Sequence, residues 1–255
     1  MHNLQQNIVN FRDFGGYPSR HGGRLRRDRL YRSGHLSGID AGDLESLLAL
    51  DFKLVADLRY ISERRAFRSP WPERYAERTL FHDGDRAGEA PHMRLLRANE
   101  LTIQTVDVFY TDLYATLPYD PLYRSLFARV LRVLPSVDGR VLIHCAVGKD
   151  RTGILVALIH HVLGVDWNNI VADYVLSHTA PGLVRQGPEI IDKAFQNFGH
   201  WPDVDAVRAL LGAKESYISH AFATITERSG SIDSYLDDLG FDPSSRRAVV
   251  ARYVE

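Results

Sequence analysis

The stretch His144-Cys145-Ala146-Val147-Gly148-Lys149-Asp150-Arg151-Thr152-Gly153 holds the only cysteine of the chain, six positions before an arginine. Thiolates are strong nucleophiles, and cysteines at helix N-termini beside cationic groups ionise with pKa values of roughly 3.5 to 7.5. The Arg151 guanidinium is a planar fork that suits two phosphate oxygens, which lysine does not reproduce. Thr152 adds a hydroxyl able to donate to a thiolate or a departing sulfur, and Gly148 permits a positive φ or a close backbone approach. A lone cysteine is ordinarily a small buried hydrophobe. Gly, Arg and Thr at these offsets favour the chemical reading.

The flanking elements must position this loop. Val141-Leu142-Ile143 follows the turn residues Asp138-Gly139 and reads as a buried strand. Residues 154 to 163 are apolar except for His160 and His161 and stop at Gly164, which predicts a central helix starting near Asp150 or Arg151. Cys145 therefore sits where a strand feeds a helix. Backbone N–H groups and the helix dipole converge there on an anion site, with Ala146, Val147, Gly148, Lys149, Arg151 and Thr152 as the candidate phosphate contacts.

At these residues the chain resembles the cysteine-dependent phosphatases of the protein-tyrosine-phosphatase superfamily, whose motif is His-Cys, five residues, Arg, Thr or Ser, Gly. The ending Gly-Lys-Asp-Arg-Thr-Gly is similar to an atypical bacterial and fungal branch related to the mycobacterial PtpB enzymes, which also act on phosphoinositides. Three further stretches match that branch: Asn10-Phe11-Arg12-Asp13-Phe14-Gly15-Gly16, Asp57-Leu58-Arg59 followed by Glu63, and Asp173-Tyr174-Val175-Leu176-Ser177. The resemblance covers almost the whole chain. It implies an α/β phosphotyrosine-phosphatase-like sandwich, a short mainly parallel sheet flanked by helices, with a helical C-terminal part.

The chain has 255 residues, 45% of them hydrophobic, and a net charge of −1. That suffices for one large domain: a phosphatase domain over 1–255, with an α/β core at 1–178 and a helical lid and packing extension at 179–255. The near-zero charge gives no global drive toward nucleic acid or membrane, so attraction for phosphorylated substrates must be local. The only lysines are Lys53, Lys149, Lys193 and Lys214, which draws attention to the one inside the loop. A single cysteine excludes an intramolecular disulfide and fits a reducing compartment. No leader pattern opens the chain and no stretch approaches the ~20 apolar residues of a membrane span. The expectation is a cytoplasmic protein without stable membrane insertion; secretion without a cleavable signal would leave no mark. The sequence is silent on oligomeric state.

Along the chain, Leu30-Tyr31-Arg32 reads as a short strand. The arginines at 20, 24, 26, 27, 29 and 32 form either a solvated face or a basic rim that attracts a phosphorylated headgroup. Arg12 and Asp13 are expected to brace the core as an ion pair. A helix over 41–50 with Asp40 as cap precedes a buried strand over 52–56, which ends at Asp57. An aspartate at the C-terminal end of a strand faces the usual ligand crevice. Arg59 and Glu63, four apart, are expected to pair on a surface. Residues 78–82 suggest another strand, 86–100 a surface loop, and 101–117 and 122–134 two helices. The later part reads as helices over 167–177, 188–198, 215–228, 232–239 and 243–254, the last capped by Asp242, with a lid between about 178 and 215.

Phosphoryl transfer to Cys145 needs an acid for the leaving group, commonly worth ~10²–10⁴ in rate. Trp201-Pro202-Asp203 spells the acid loop of classical tyrosine phosphatases but follows the cysteine rather than preceding it, so it reads as a helix start. Asp57 and Asp150 remain. The helix dipole beside Asp150 favours its ionised form, so Asp57 is the expected acid, with Asp150 an electrostatic or water-orienting group. Lys149 is expected to bind a second phosphate and His144 to orient the loop. No nucleotide loop, cofactor motif or metal cluster is visible. The reading is a metal-independent phosphomonoesterase acting on phosphotyrosine proteins, with tolerance for other phosphoresidues or phosphoinositides. A rhodanese-like sulfurtransferase and an inert phosphate-reading module are the alternatives.

Overall fold

The structure, a computed structural model, describes residues 2–255. Five strands make one sheet: β1 (Arg12–Asp13), β2 (Leu30–Ser33), β3 (Phe52–Asp57), β4 (Thr79–Leu80) and β5 (Arg140–His144). Their order is β1-β2-β5-β3-β4, with β1 antiparallel to β2 and the other pairings parallel. The helices are α1 (His2–Asn7), α2 (Ala41–Ala49), α3 (Ile61–Ala66), α4 (Pro91–Arg97), α5 (Ile103–Thr116), α6 (Pro121–Val133), α7 (Asp150–Val162), α8 (Trp167–Val175), α9 (Pro181–Val184), α10 (Gln186–Phe198), α11 (Val204–Leu211), α12 (Glu215–Ser229), α13 (Ile232–Asp238) and α14 (Pro243–Tyr253). This is the expected α/β sandwich with a helical C-terminal part.

The central strand β5 obeys the two-residue period of a sheet covered on both faces. Val141 and Ile143 join the large core with Leu54 and Ala56, whereas Leu142 turns to a second core with Tyr31, Phe52 and Val55. The large core contains α7, whose side chains from Thr152 to His160 are all buried. That explains its lack of a polar face. Gly164 ends the helix region at φ +76°. On the other face, Leu4 and Ile8 pack with Leu47 of α2. Asp40 caps α2 by accepting from the Asp43 amide, and Asp242 caps α14 by accepting from Ser245.

The 86–100 region is not all loop, because it contains α4. Its N-cap is Ala90, with no capping side chain to announce a helix start. α11 is opened by Asp203, whose carboxylate accepts from the Ala206 amide at 2.8 Å. The Trp201-Pro202-Asp203 sequence is thus a helix start, as expected. No helix among the described residues is long and apolar enough to cross a membrane.

Candidate active site

Between β5 and α7 the chain makes a loop whose outward carbonyls are tied down. The His35 amide donates to the Ala146 carbonyl at 2.9 Å. Asn10 Nδ2 donates to those of Val147 (3.2 Å) and Gly148 (2.8 Å), and Arg32 Nη2 also donates to Gly148 at 2.8 Å. With these carbonyls held on one side, the amides are available to the other. The Gly148 N–H donates to Cys145 Sγ at 3.2 Å. Gly148 has φ +67°, and a Cβ there would fall 2.4 Å from the Ser33 carbonyl carbon. Only glycine fits.

Behind the loop lies Asp173 of α8. Its Oδ1 accepts from Arg12 Nε at 3.1 Å and its Oδ2 from Arg32 Nη1 at 2.6 Å. Asn10 reaches Ser177 Oγ at 3.1 Å. Burial acts to raise the Asp173 carboxyl, but Arg12 and Arg32 outweigh it and hold it well below the usual range. Two expectations change. Arg12 pairs with Asp173 rather than Asp13, whose carboxylate instead accepts from the Gly15 and Asp28 amides. Arg32 is fully buried and belongs to no rim. Nor do the arginines at 20, 24, 26, 27 and 29 line the cavity at the loop; Arg26 and Arg29 border a separate depression with Arg252.

The expected Arg59–Glu63 surface pair is replaced by two inward ones. Arg59, almost fully buried, grips Asp57 with Nε on Oδ1 (2.8 Å) and Nη2 on Oδ2 (2.6 Å). Glu63 takes Arg151, with Nη1 on Oε2 (2.6 Å) and Nη2 on Oε1 (2.8 Å), and also accepts from the Tyr60 amide. Arg151 Nη1 further donates to the Leu58 carbonyl at 3.1 Å. The Arg151 fork is therefore fixed from one side before any anion arrives.

Asp57 stands in register with His144, at the sheet's C-terminal edge as expected, but it is 4% exposed and does not line the cavity. Burial alone would raise its carboxyl; His144 when protonated and the Arg59 pair outweigh that and set it below the usual range. A carboxylate held ionised by a two-pronged arginine is ill suited to donate a proton, and this weighs against Asp57 as the acid. His144, 3.7 Å away and fully buried, is pushed down to about 4 by burial, against the pull of Asp57. It is neutral at pH 7.

The cavity in front of the loop has a volume of about 520 Å³. Its floor is Ala146, Val147, Lys149, Asp150 and Arg151; its walls include Tyr60, Phe109, Tyr110 and Tyr123; Leu183, Ile190, Leu210 and Leu211 of the 178–215 segment also line it. Asp150 faces this space, and its Oδ1 accepts from Tyr114 Oη at 2.8 Å. Thr152 Oγ1 is buried without a hydrogen-bond partner. Lys149 does not reach outward to a second phosphate. Its Nζ donates to Tyr110 Oη (2.7 Å) and to the carbonyls of Leu210 (2.9 Å) and Gly212 (2.7 Å), which saturates its three donors at the C-terminal end of α11. Arg86, which no motif singled out, also lines the cavity, 5.2 Å from the Tyr60 ring centroid. Tyr114, likewise unforeseen, carries no signal beyond the apolar spacing of its helix.

The structure thus brings together, on an α/β sandwich, the buried Cys145 thiol under the Gly148 amide, the Arg151 fork held by Glu63 and the cavity-lining Asp150. A sequence model described as the tyrosine phosphatase family matches residues 4–255, and the chain belongs to that family. It is 33% identical over 239 residues to a Cupriavidus necator protein provisionally named a tyrosine-protein phosphatase, an alignment covering 91% of this chain and 81% of that one. It is 32% identical over 265 residues to the triple specificity protein phosphatase PtpB of Mycobacterium tuberculosis, covering 92% and 93%. A tyrosine-protein phosphatase of Nostoc commune is 28% identical over 172 residues, covering 65% and 54%.

Proposed function

We propose that this phosphatase acts through a cysteinyl-phosphate on Cys145 and that its first substrate class is phosphotyrosine. The Gly148 N–H on Cys145 Sγ, in a loop whose carbonyls are tied outward, carries this reading. Sγ attacks phosphorus, a P–S bond forms and the P–O bond breaks. The leaving phenolate takes its proton from Asp150, which faces the cavity where Asp57 does not. Water then attacks the phosphorus, its proton passes to Asp150, and the P–S bond breaks to release phosphate and thiolate. Arg151 and the amides of Ala146 to Thr152 hold the equatorial oxygens, and the unpartnered Thr152 hydroxyl is free to donate to the departing sulfur.

The aromatic walls support a phenyl ring in the cavity. Lys149 already holds protein acceptors and Arg151 serves the first phosphate, so a headgroup with several phosphates would meet one further cavity-lining guanidinium, Arg86. The mycobacterial relative is named for triple specificity; on this reading phosphoserine and phosphoinositides are turned over by this protein more slowly than phosphotyrosine. Residues 1–178 serve as the catalytic core of one domain, and 179–255 as lid and packing extension. The single cysteine supports a reducing, cytoplasmic setting.

The test is hydrolysis of a phosphotyrosine peptide, a phosphoserine peptide and short-chain phosphoinositides by wild type and Cys145→Ser, with chelator present. Chelator-resistant activity lost in the variant, with phosphotyrosine fastest and phosphorylated Cys145 trapped by acid quench, is the expected result. A wild type that binds these ligands without turnover would return the protein to the class of phosphate-reading modules.

A further inference from the structure

Asp150 lies at the end of a buried chain of hydroxyls. Tyr114 Oη of α5 is 2.8 Å from Asp150 Oδ1 and 2.6 Å from Tyr174 Oη of α8. A phenol has one proton to donate. If Tyr114 gives its proton to Asp150, the hydrogen bond between the two phenols is donated by Tyr174, so the chain runs Tyr174 to Tyr114 to Asp150 Oδ1. Both rings are buried. Burial first, and the nearby Asp150 next, push both hydroxyls well above their ordinary pKa, so they keep their protons.

The last glycine of the loop motif bears on the same chain. A Cβ at Gly153 would lie 3.0 Å from Tyr174 Cδ2. The bare backbone there lets the Tyr174 ring lie against α7. Lys149 Nζ also lies on the Oδ1 side of Asp150, at 3.7 Å. Oδ2 has no hydrogen-bond partner among the described residues.

We propose that Tyr114, aligned by Tyr174, is a positioning residue that occupies Asp150 Oδ1 and thereby leaves Oδ2 as the oxygen that carries the transferable proton toward the leaving group. This rests on the reading of Asp150 as the acid. A carboxyl with both oxygens free can hold its proton on either one and rotate about its χ2, and in half of those states the proton points away from the substrate. An acceptor bond at Oδ1 survives whether the carboxyl is ionised or protonated, so it orients the group in both steps of the reaction. His92, Tyr110 and Tyr217 face Asp150 at longer range, from α4, α5 and α12, and none of them hydrogen-bonds to it.

The experiment compares wild type, Tyr114→Phe, Asp150→Asn and the double variant on phenyl phosphate, a poor leaving group, and p-nitrophenyl phosphate, an activated one. Tyr114→Phe is expected to lower kcat on phenyl phosphate roughly 10-fold, with p-nitrophenyl phosphate hardly changed and KM for both unchanged. In the Asp150→Asn background it should add nothing. Tyr174→Phe, which keeps Tyr114 but removes its aligning donor, should give the same selectivity at smaller amplitude, and it stands in if Tyr114→Phe does not fold. Equal losses on both substrates, or full additivity with Asp150→Asn, would mean that Tyr114 merely supports packing, and the proposal falls. If Asp150→Asn itself leaves the leaving-group dependence unchanged, the acid assignment fails and takes this inference with it.

Discussion

Arg151 and Glu63 are joined by two parallel hydrogen bonds, 2.6 and 2.8 Å long, across 88 residues of sequence. The carboxylate takes one side of the guanidinium and sets its plane for the cavity. Glu63→Gln keeps one acceptor and loses the charge. It should lower kcat/KM on aryl phosphates by roughly 10- to 100-fold, matching the ~1.5–3 kcal/mol of a hydrogen bond to a charged group. Inhibition by free phosphate should weaken in parallel. An unaltered kcat/KM in a folded variant would show that Arg151 finds its orientation without Glu63.

Asp57 is expected to matter for folding more than for proton transfer. Asp57→Asn leaves the buried Arg59 short of its counter-charge, and breaking a buried pair this way costs about 3–5 kcal/mol, readable by urea denaturation. The ratio of rates for poor and activated leaving groups should stay at the wild-type value. A selective loss on the poor leaving group would restore Asp57 as the acid.

Gly148→Ala tests the loop's shape. The added carbon would press on the Ser33 carbonyl at a positive φ, and relief requires the amide above Cys145 to move. A displacement of about 1 Å in a reacting site costs on the order of 100-fold in rate. The expected result is that loss in kcat with a circular dichroism spectrum like wild type. Near-normal turnover would mean that the Gly148 amide is not needed where it stands.

Stability should fall on mild acidification. Burial pushes His144 down to about 4, and also lowers His35, His82, His160 and His161 from 6.5. Unfolded, these side chains take up protons near pH 6.5; folded, they resist. Between about pH 6.5 and 4 the unfolded chain binds more protons, so stability rises with pH and is fully present above 6.5. The urea midpoint should be lower at pH 5.0 than at 7.5. Equal midpoints would contradict the neutral burial of these rings.

The loop and its two flanking elements were legible because each rests on local signals: a turn, an apolar run of strand length, and a long apolar run ended by Gly164. The pairings behind the loop were not, although the stretches that supply them had been singled out. Asn10, Arg12, Arg32, Asp173 and Ser177 are scattered over 168 positions and meet only once the sheet closes. Charge and spacing cannot say that Arg12 skips its neighbour Asp13 for Asp173, or that Arg59 and Glu63 turn to different partners. Lys149 misled for a related reason. Its position in the loop suggested an outward ammonium, whereas tertiary packing offers it carbonyls at the end of α11.

Behind the Gly148 carbonyl, Arg12 and Arg32 enclose a single carboxylate, Asp173, with side chains 12%, 0% and 2% exposed. The trio leaves one uncompensated positive charge inside the protein. Dissolved ions screen charges at a surface within about 10 Å at 0.1 M ionic strength, but they do not penetrate a packed interior. The potential behind the loop is therefore built in rather than borrowed from the solvent boundary. If the loop binds phosphate as proposed, added salt would slow the approach of an anionic substrate without weakening the field behind the bound group.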